Sequence, residues 1–106
     1  MYKYQLRYLP QFDQDLKDCV LYIVNKLKNP DAAIKLIDAT EQAILERLPD
    51  AEAFEQYHSR KDRRYPYYRI YVDNYIVFYV VIPENGQKVM EVRRFLYSKR
   101  NWKYTV

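Results

Sequence analysis

The sequence predicts an α+β fold: a two-layer sandwich with a helical hairpin on one face of a four-stranded, mostly antiparallel sheet. Three observations lead there. Apolar residues recur in steps of three and four over two consecutive stretches ahead of Pro49. They alternate, or run unbroken, over three stretches after Pro66. A further alternating stretch opens the chain. The element order is therefore β-α-α-β-β-β. Helices on one side leave the other sheet face open, and function is expected on that face.

Tyr2 to Leu9 places Tyr2, Tyr4, Leu6 and Tyr8 on one side and Lys3, Gln5 and Arg7 on the other, the period of a half-buried strand. Pro10 ends it and suits the first turn of a helix. From Gln11 to Leu27 the apolar set is Phe12, Leu16, Cys19, Val20, Ile23, Val24 and Leu27, an amphipathic helix. Asp13 and Asp15 in its first turn, with Lys26 and Lys28 in its last, complement the helix dipole. Asn29-Pro30-Asp31 interrupts the chain, because a residue before proline avoids helical angles. A second helix follows from about Asp31 to Leu48, with Ala33, Ile37, Thr40, Ile44 and Leu48 toward the core and Leu36 and Leu45 at its shoulders. The connection is so short that the helices pack antiparallel.

Residues 49–66 read as a polar loop. Tyr67–Val72 alternates as a strand, and Asp73-Asn74 is a turn signal. Tyr75–Ile82 is apolar on both faces, as a central strand is. Pro83-Glu84-Asn85-Gly86 is the next turn and holds the only glycine. Val89–Tyr97 is the last strand, and residues 98–106 form a basic tail with a short helix. No linker, repeat or low-complexity tract divides the chain, so one domain over 1–106 is expected.

Residues 1–53 carry 7 Lys/Arg against 9 Asp/Glu, whereas residues 54–106 carry 11 against 5. Such a split points to an anionic partner for one side of the molecule. The single Cys19 is expected to be a small buried hydrophobe in a reducing, cytoplasmic setting. No apolar run is long enough for a signal peptide or a membrane span. No spacing of Cys, His or Asp suits a metal, no Ser/His/Asp set stands out, and no glycine-rich loop cradles phosphate, so no cofactor is expected. The helices carry no concentrated basic face for reading DNA.

The basic and tyrosine-rich residues crowd the stretch from Arg60 to Tyr104. Aromatic rings stack on bases and Lys/Arg seek phosphates, so this pattern suits RNA. The plainer readings are these. Thirteen tyrosines also suit half-wet strands. Arg69 can pair with Glu91 across strands. Arg94, alternating with Met90, Val92 and Leu96, can be a structural arginine or mark a bulge. Phe54 and Trp102 fit the core better than a substrate.

The opening YKYQLRYLPQFDQDLKD, the stretch NPDAAIKLIDATEQAILERLP, and the strands NYIVFYVV and VRRFLYSKRNW together resemble the RelE/ParE superfamily of toxins from bacterial type II toxin–antitoxin modules. The likeness covers nearly the whole chain and lies in the order and spacing of the segments. It implies growth inhibition, neutralisation by a cognate RelB- or ParD-like antitoxin, and one of two targets. RelE-like members cut mRNA on the ribosome as metal-independent endoribonucleases (mRNA interferases). ParE-like members bind and poison DNA gyrase.

The nuclease expectation comes first. It casts Arg69 as a phosphate contact, Arg100 as the group that stabilises the transition state, and Tyr104 as a stacking or proton-transferring residue. Arginine stays protonated, so a side-chain base has to be Lys61, Lys99 or Tyr104. His58 alone has an ordinary pKa near neutrality. Arg60, Lys61, Arg63, Arg64, Arg93 and Tyr97 complete the expected RNA contacts. Ribosome-dependent relatives often carry an arginine directly after the central-strand tyrosine; here Tyr75 is followed by Ile76. The helical hairpin is similar to that of ParE-like members, for which gyrase is the partner. An acidic, amphipathic antitoxin segment is expected over the open sheet or the helix-pair groove.

Overall fold

A computed structural model describes residues 3–59, 61 and 64–106. Arg60 and Arg63, two of the expected RNA contacts, and Tyr2 lie outside the described residues. The elements are β1 (Tyr4–Tyr8), α1 (Pro10–Asn25), α2 (Pro30–Arg47), β2 (Gln56–Tyr57), β3 (Tyr67–Val72), β4 (Tyr75–Glu84) and β5 (Gln87–Tyr97), with single 3-10 turns at Leu48–Asp50 and Trp102–Tyr104. The sheet has five strands in the order β1-β5-β4-β3-β2. The expected count of four missed β2, two residues within the stretch read as loop. So short a strand carries no periodicity; it exists because Gln56 and Tyr57 pair with Tyr68 and Tyr67. β1 runs parallel to β5, and the other pairs are antiparallel.

Pro10 occupies the first turn of α1. The helix ends at Asn25, two residues short of the expected Leu27, so Lys26 and Lys28 fall beyond its last turn. Lys28 turns the chain with a positive φ, and the Asn29 side chain then accepts the Ala32 N–H to cap α2. α1 lies over β5 and α2 over β3. Their shared core joins Phe12, Ile23, Leu36 and Ile44 to Ile70, Val77, Met90 and Phe95 from the sheet. Each such side chain stabilises the fold by about 2 kcal/mol. Ala33, Thr40 and Ile44 are buried as expected, but Leu36, assigned to the shoulder, is buried where Ile37 was expected, and Ile37 is exposed.

At the β4–β5 turn Asn85 and Gly86 both have positive φ, and nothing crowds a Cβ at Gly86. The glycine answers a conformational demand alone. Near the middle of the same pair the register shifts between Phe78 and Tyr79, which oppose Arg94 and Val92, so Arg93 is the extra residue of a bulge.

The second face of the sheet departs most from expectation. It is not bare. Tyr67, Ile76, Phe78, Val80 and Leu96 form a second buried cluster, closed by Tyr57, Tyr65, Trp102 and Val106. The Trp102 ring lies 5.2 Å from Phe78 and 5.1 Å from Tyr57. Val106 is fully buried, and Ser59 Oγ donates to its main-chain oxygen. The stretch read as a basic tail with a short helix is thus a third, partial layer, because its apolar residues Trp102 and Val106 face the sheet.

Candidate functional site

Five of the described candidate residues are engaged within the fold. Arg69 points from β3 onto the second face. Its guanidinium is 5.3 Å from the Tyr57 ring and 6.0 Å from Tyr71, and its nearest carboxylate is Glu55 at 4.0 Å, not Glu91. Glu91 is taken already. It accepts from Arg7 at 2.6 Å and from Arg93 at 2.8 Å, while Arg7 also reaches Glu84 at 2.7 Å. Arg93, expected to contact RNA, is thereby neutralised, and its remaining contact is the Tyr67 ring. Burial works against the Glu91 carboxylate, but the hydrogen bonds from Arg93 and Arg7 outweigh it and hold its pKa below the usual range. Arg64 lies over Tyr65, and Lys61 Nζ donates to the Thr105 carbonyl at 3.3 Å. Tyr97 packs edge-on against Tyr75.

Arg94 is a structural arginine at the bulge. β1 ends opposite Val92, so the Phe95 N–H has no strand beside it and donates to Asp15 at 3.0 Å. The same carboxylate takes two hydrogen bonds from Arg94, at 2.7 and 3.1 Å. Asp15 thus ties α1 to β5 from within the core, rather than serving the helix dipole in solvent. At the C-terminal end of α2 Phe54, expected inside, is half exposed beneath the Arg47 guanidinium at 3.5 Å.

Lys99 and Arg100 differ from the others. Both are exposed, and among the described residues neither forms an ion pair. They follow Tyr97 in a turn closed by Arg100 N–H to Tyr97 O at 3.0 Å, anchored by Ser98 N–H to Asn74 O at 2.8 Å. By strand register Tyr97 lies opposite Tyr75 and Val72, two strands over from β3 and three residues along from Arg69. That spacing separates Arg69 from this turn by roughly 14 Å. Tyr104 is exposed on the 3-10 turn. Among the four residues cast as catalytic, Lys99 and Arg100 come together through the turn, and Arg69 stands apart on the second face.

Concavities open on the helix side. One, about 230 Å³, runs between α1 and α2 and is lined by Tyr8, Phe12, Leu16, Ile37 and Ile44, with Asp13 and Glu41 at its rim. Thr40 lines it too, its hydroxyl buried and without a hydrogen-bond partner among the described residues. Another, about 610 Å³, opens where the end of α1 meets the β3–β4 turn and the end of β5; Tyr22, Leu27, Asn74, Tyr75 and Tyr97 line it. Cys19 sits in its wall. Burial first, then the charges of Asp15 and Asp18, push its thiol to about 11, opposed by Arg100. That thiol is protonated at neutral pH and inert. Tyr22, Asn74 and Asp18 were not singled out from the sequence. The one available signal was an aromatic residue, Tyr22, on the face of α1 that the periodicity assigns to water.

Among the described residues no helix is long and apolar enough to cross a membrane. No curated protein matches the chain. A family model does: that of the ParE toxin of the parDE type II toxin–antitoxin system, over residues 6–102. The match takes in the end of β1, both helices, the other four strands and the turn that carries Lys99 and Arg100. The chain therefore belongs to the ParE toxin family, within the RelE/ParE superfamily of type II toxin–antitoxin toxins, a membership that implies an antitoxin partner.

Proposed function

We propose that this toxin arrests growth as a ParE-like inhibitor that binds DNA gyrase and cuts no RNA. One observation carries the choice of target. Ile76 occupies the position where ribosome-dependent relatives often hold an arginine. Here it is buried on the second face beside Phe78 and Leu96, with Trp102 packed against the same cluster. A phosphate reaching that point would meet an apolar seam and displace Trp102. The separation of Arg69 from Arg100 supports the same reading, since catalysis of RNA cleavage needs its cations around a single phosphate. Ribosome-dependent mRNA cleavage is the second reading; Lys99 and Arg100, exposed and without an ion pair among the described residues, favour it.

The antitoxin is expected to lay an apolar segment into the α1–α2 groove, presenting a donor or water to Thr40. The rim of that groove, Asp13 and Glu41, favours basic flanks on the segment, opposite in sign to the acidic segment expected from the sequence.

The target is tested by brief induction of the toxin, with gyrase-dependent DNA breaks and primer-extension patterns on mRNA followed together. DNA breaks or altered supercoiling with intact transcripts is the expected result. Codon-phased mRNA cuts with undamaged DNA would reverse the assignment.

A further inference from the structure

The cleft at the α1–β5 corner combines exposed phenol rings, hydrogen-bonding side chains and nearby cations. Tyr22 and Tyr97 are 57% and 41% exposed within it. Their setting is rigid: Tyr75 stands between Tyr97, at 5.6 Å, and Phe95, stacked at 4.9 Å from the core side. Two hydrogen-bonding side chains, Asn74 and Asp18, reach the same lining. Asp18 accepts from Gln14 through Oδ1 at 2.8 Å, and among the described residues no hydrogen bond occupies Oδ2. The turn that leaves Tyr97 carries Lys99 and Arg100, both exposed and without an ion pair among the described residues, and its Ser98 N–H is held on Asn74 O at 2.8 Å, so the pair sits beside the lining.

We propose that this cleft binds one base of a single-stranded nucleic acid, with the neighbouring phosphate held by Arg100 and Lys99. The two exposed phenol rings supply the stacking surface that a base requires. The cations beside the lining supply the phosphate contact. The volume is in the range of small-ligand clefts and takes one nucleotide. Asp18 selects between anionic occupants. It repels the carboxylates of an acidic peptide, but accepts a hydrogen bond from the exocyclic amine of adenine, cytosine or guanine. Bases that carry such an amine are therefore preferred over thymine or uracil. The proposal stands apart from the choice between gyrase and ribosome, because its readout is binding by the isolated chain.

The experiment is fluorescence anisotropy of the full-length protein with labelled short oligo(dC) and oligo(dT), pyrimidines that differ in the amine. Oligo(dC) is expected to bind several-fold tighter. Tyr22→Ala and Tyr97→Ala each weaken binding by about tenfold, whereas Tyr97→Phe retains it. Arg100→Ala weakens both oligonucleotides alike and lowers the salt slope by about one. Asp18→Leu removes the preference for oligo(dC). Equal affinity of the native protein for both oligonucleotides would overturn the proposal. So would indifference to truncation of Tyr22, which is 57% exposed, or displacement of the nucleic acid by a Glu-rich peptide without any dependence on the rings.

Discussion

Arg93 and Arg94 in the last strand and Lys99 and Arg100 just past it read alike in the sequence, yet they do different work. The first pair is spent on the fold: Arg93 on Glu91, and Arg94 on Asp15 with the Phe95 amide beside it. The second pair is held out on a turn with its charge uncompensated among the described residues. A cation attracts a partner only if the tertiary structure has not already given it a carboxylate. Half of the basic character of this stretch is accordingly structural, and the part available to ligands is concentrated at one corner.

The sharpest way to break that comparison is to remove the carboxylate. Asp15→Ala leaves the Arg94 guanidinium and the Phe95 N–H without their partner and is expected to cost about 3 kcal/mol, read from the midpoint of urea denaturation. A loss below the roughly 0.5 kcal/mol typical of surface changes would show that Arg94 is no more structural than Arg100. Trp102→Ala strips the layer over Phe78 and is expected to cost about 2 kcal/mol, somewhat less than a fully buried aromatic. The same variant should make Tyr67 and Ile76 more accessible to amide exchange and to quenchers.

Acid sharpens the comparison further. The Glu91 and Glu52 carboxylates are both held below their usual pKa, Glu91 by Arg93 and Arg7 against its burial, Glu52 by Lys88 and then Tyr4. Their contribution to stability is fully present above the unfolded value of about 4.3. It is lost as pH falls through the lower folded values. Stability should therefore decline in that acid window, and less steeply in Glu91→Gln. Tyr4 behaves oppositely. Burial first, then Glu52, raises it to about 12, so its contribution holds below about 10 and disappears as pH climbs toward the folded value.

Arg100→Ala should move stability least, by no more than about 0.5 kcal/mol. It should nevertheless abolish toxicity while leaving antitoxin binding intact, measured by growth after induction and by co-purification. Full toxicity in that variant would remove Arg100 from the functional surface.

Both helices, the last three strands, the two turns and the family were legible in the chain, since periodicity and turn residues are local properties. β2 was not, because two residues have no period. The closing of the second face was not either. Trp102 was expected to pack inside and does, but which face it covers was not legible: it and Val106 sit in a tail whose charge dominates its appearance, and what they bury depends on Phe78 and Ile76, more than twenty residues away. The corner cleft draws Tyr22 from α1, Asn74 from a turn and Tyr97 from the end of β5, and no spacing rule links them.

By itself the sequence determined which segments are helical or extended, that positive charge gathers in the second half, and that Ile76 departs from the ribosome-dependent pattern. Only the tertiary structure decided which of those charges are cancelled and which face is covered. Burial and ion pairing are properties of neighbours in space, and the neighbours of Arg94, Trp102 and Tyr97 lie far from them along the chain.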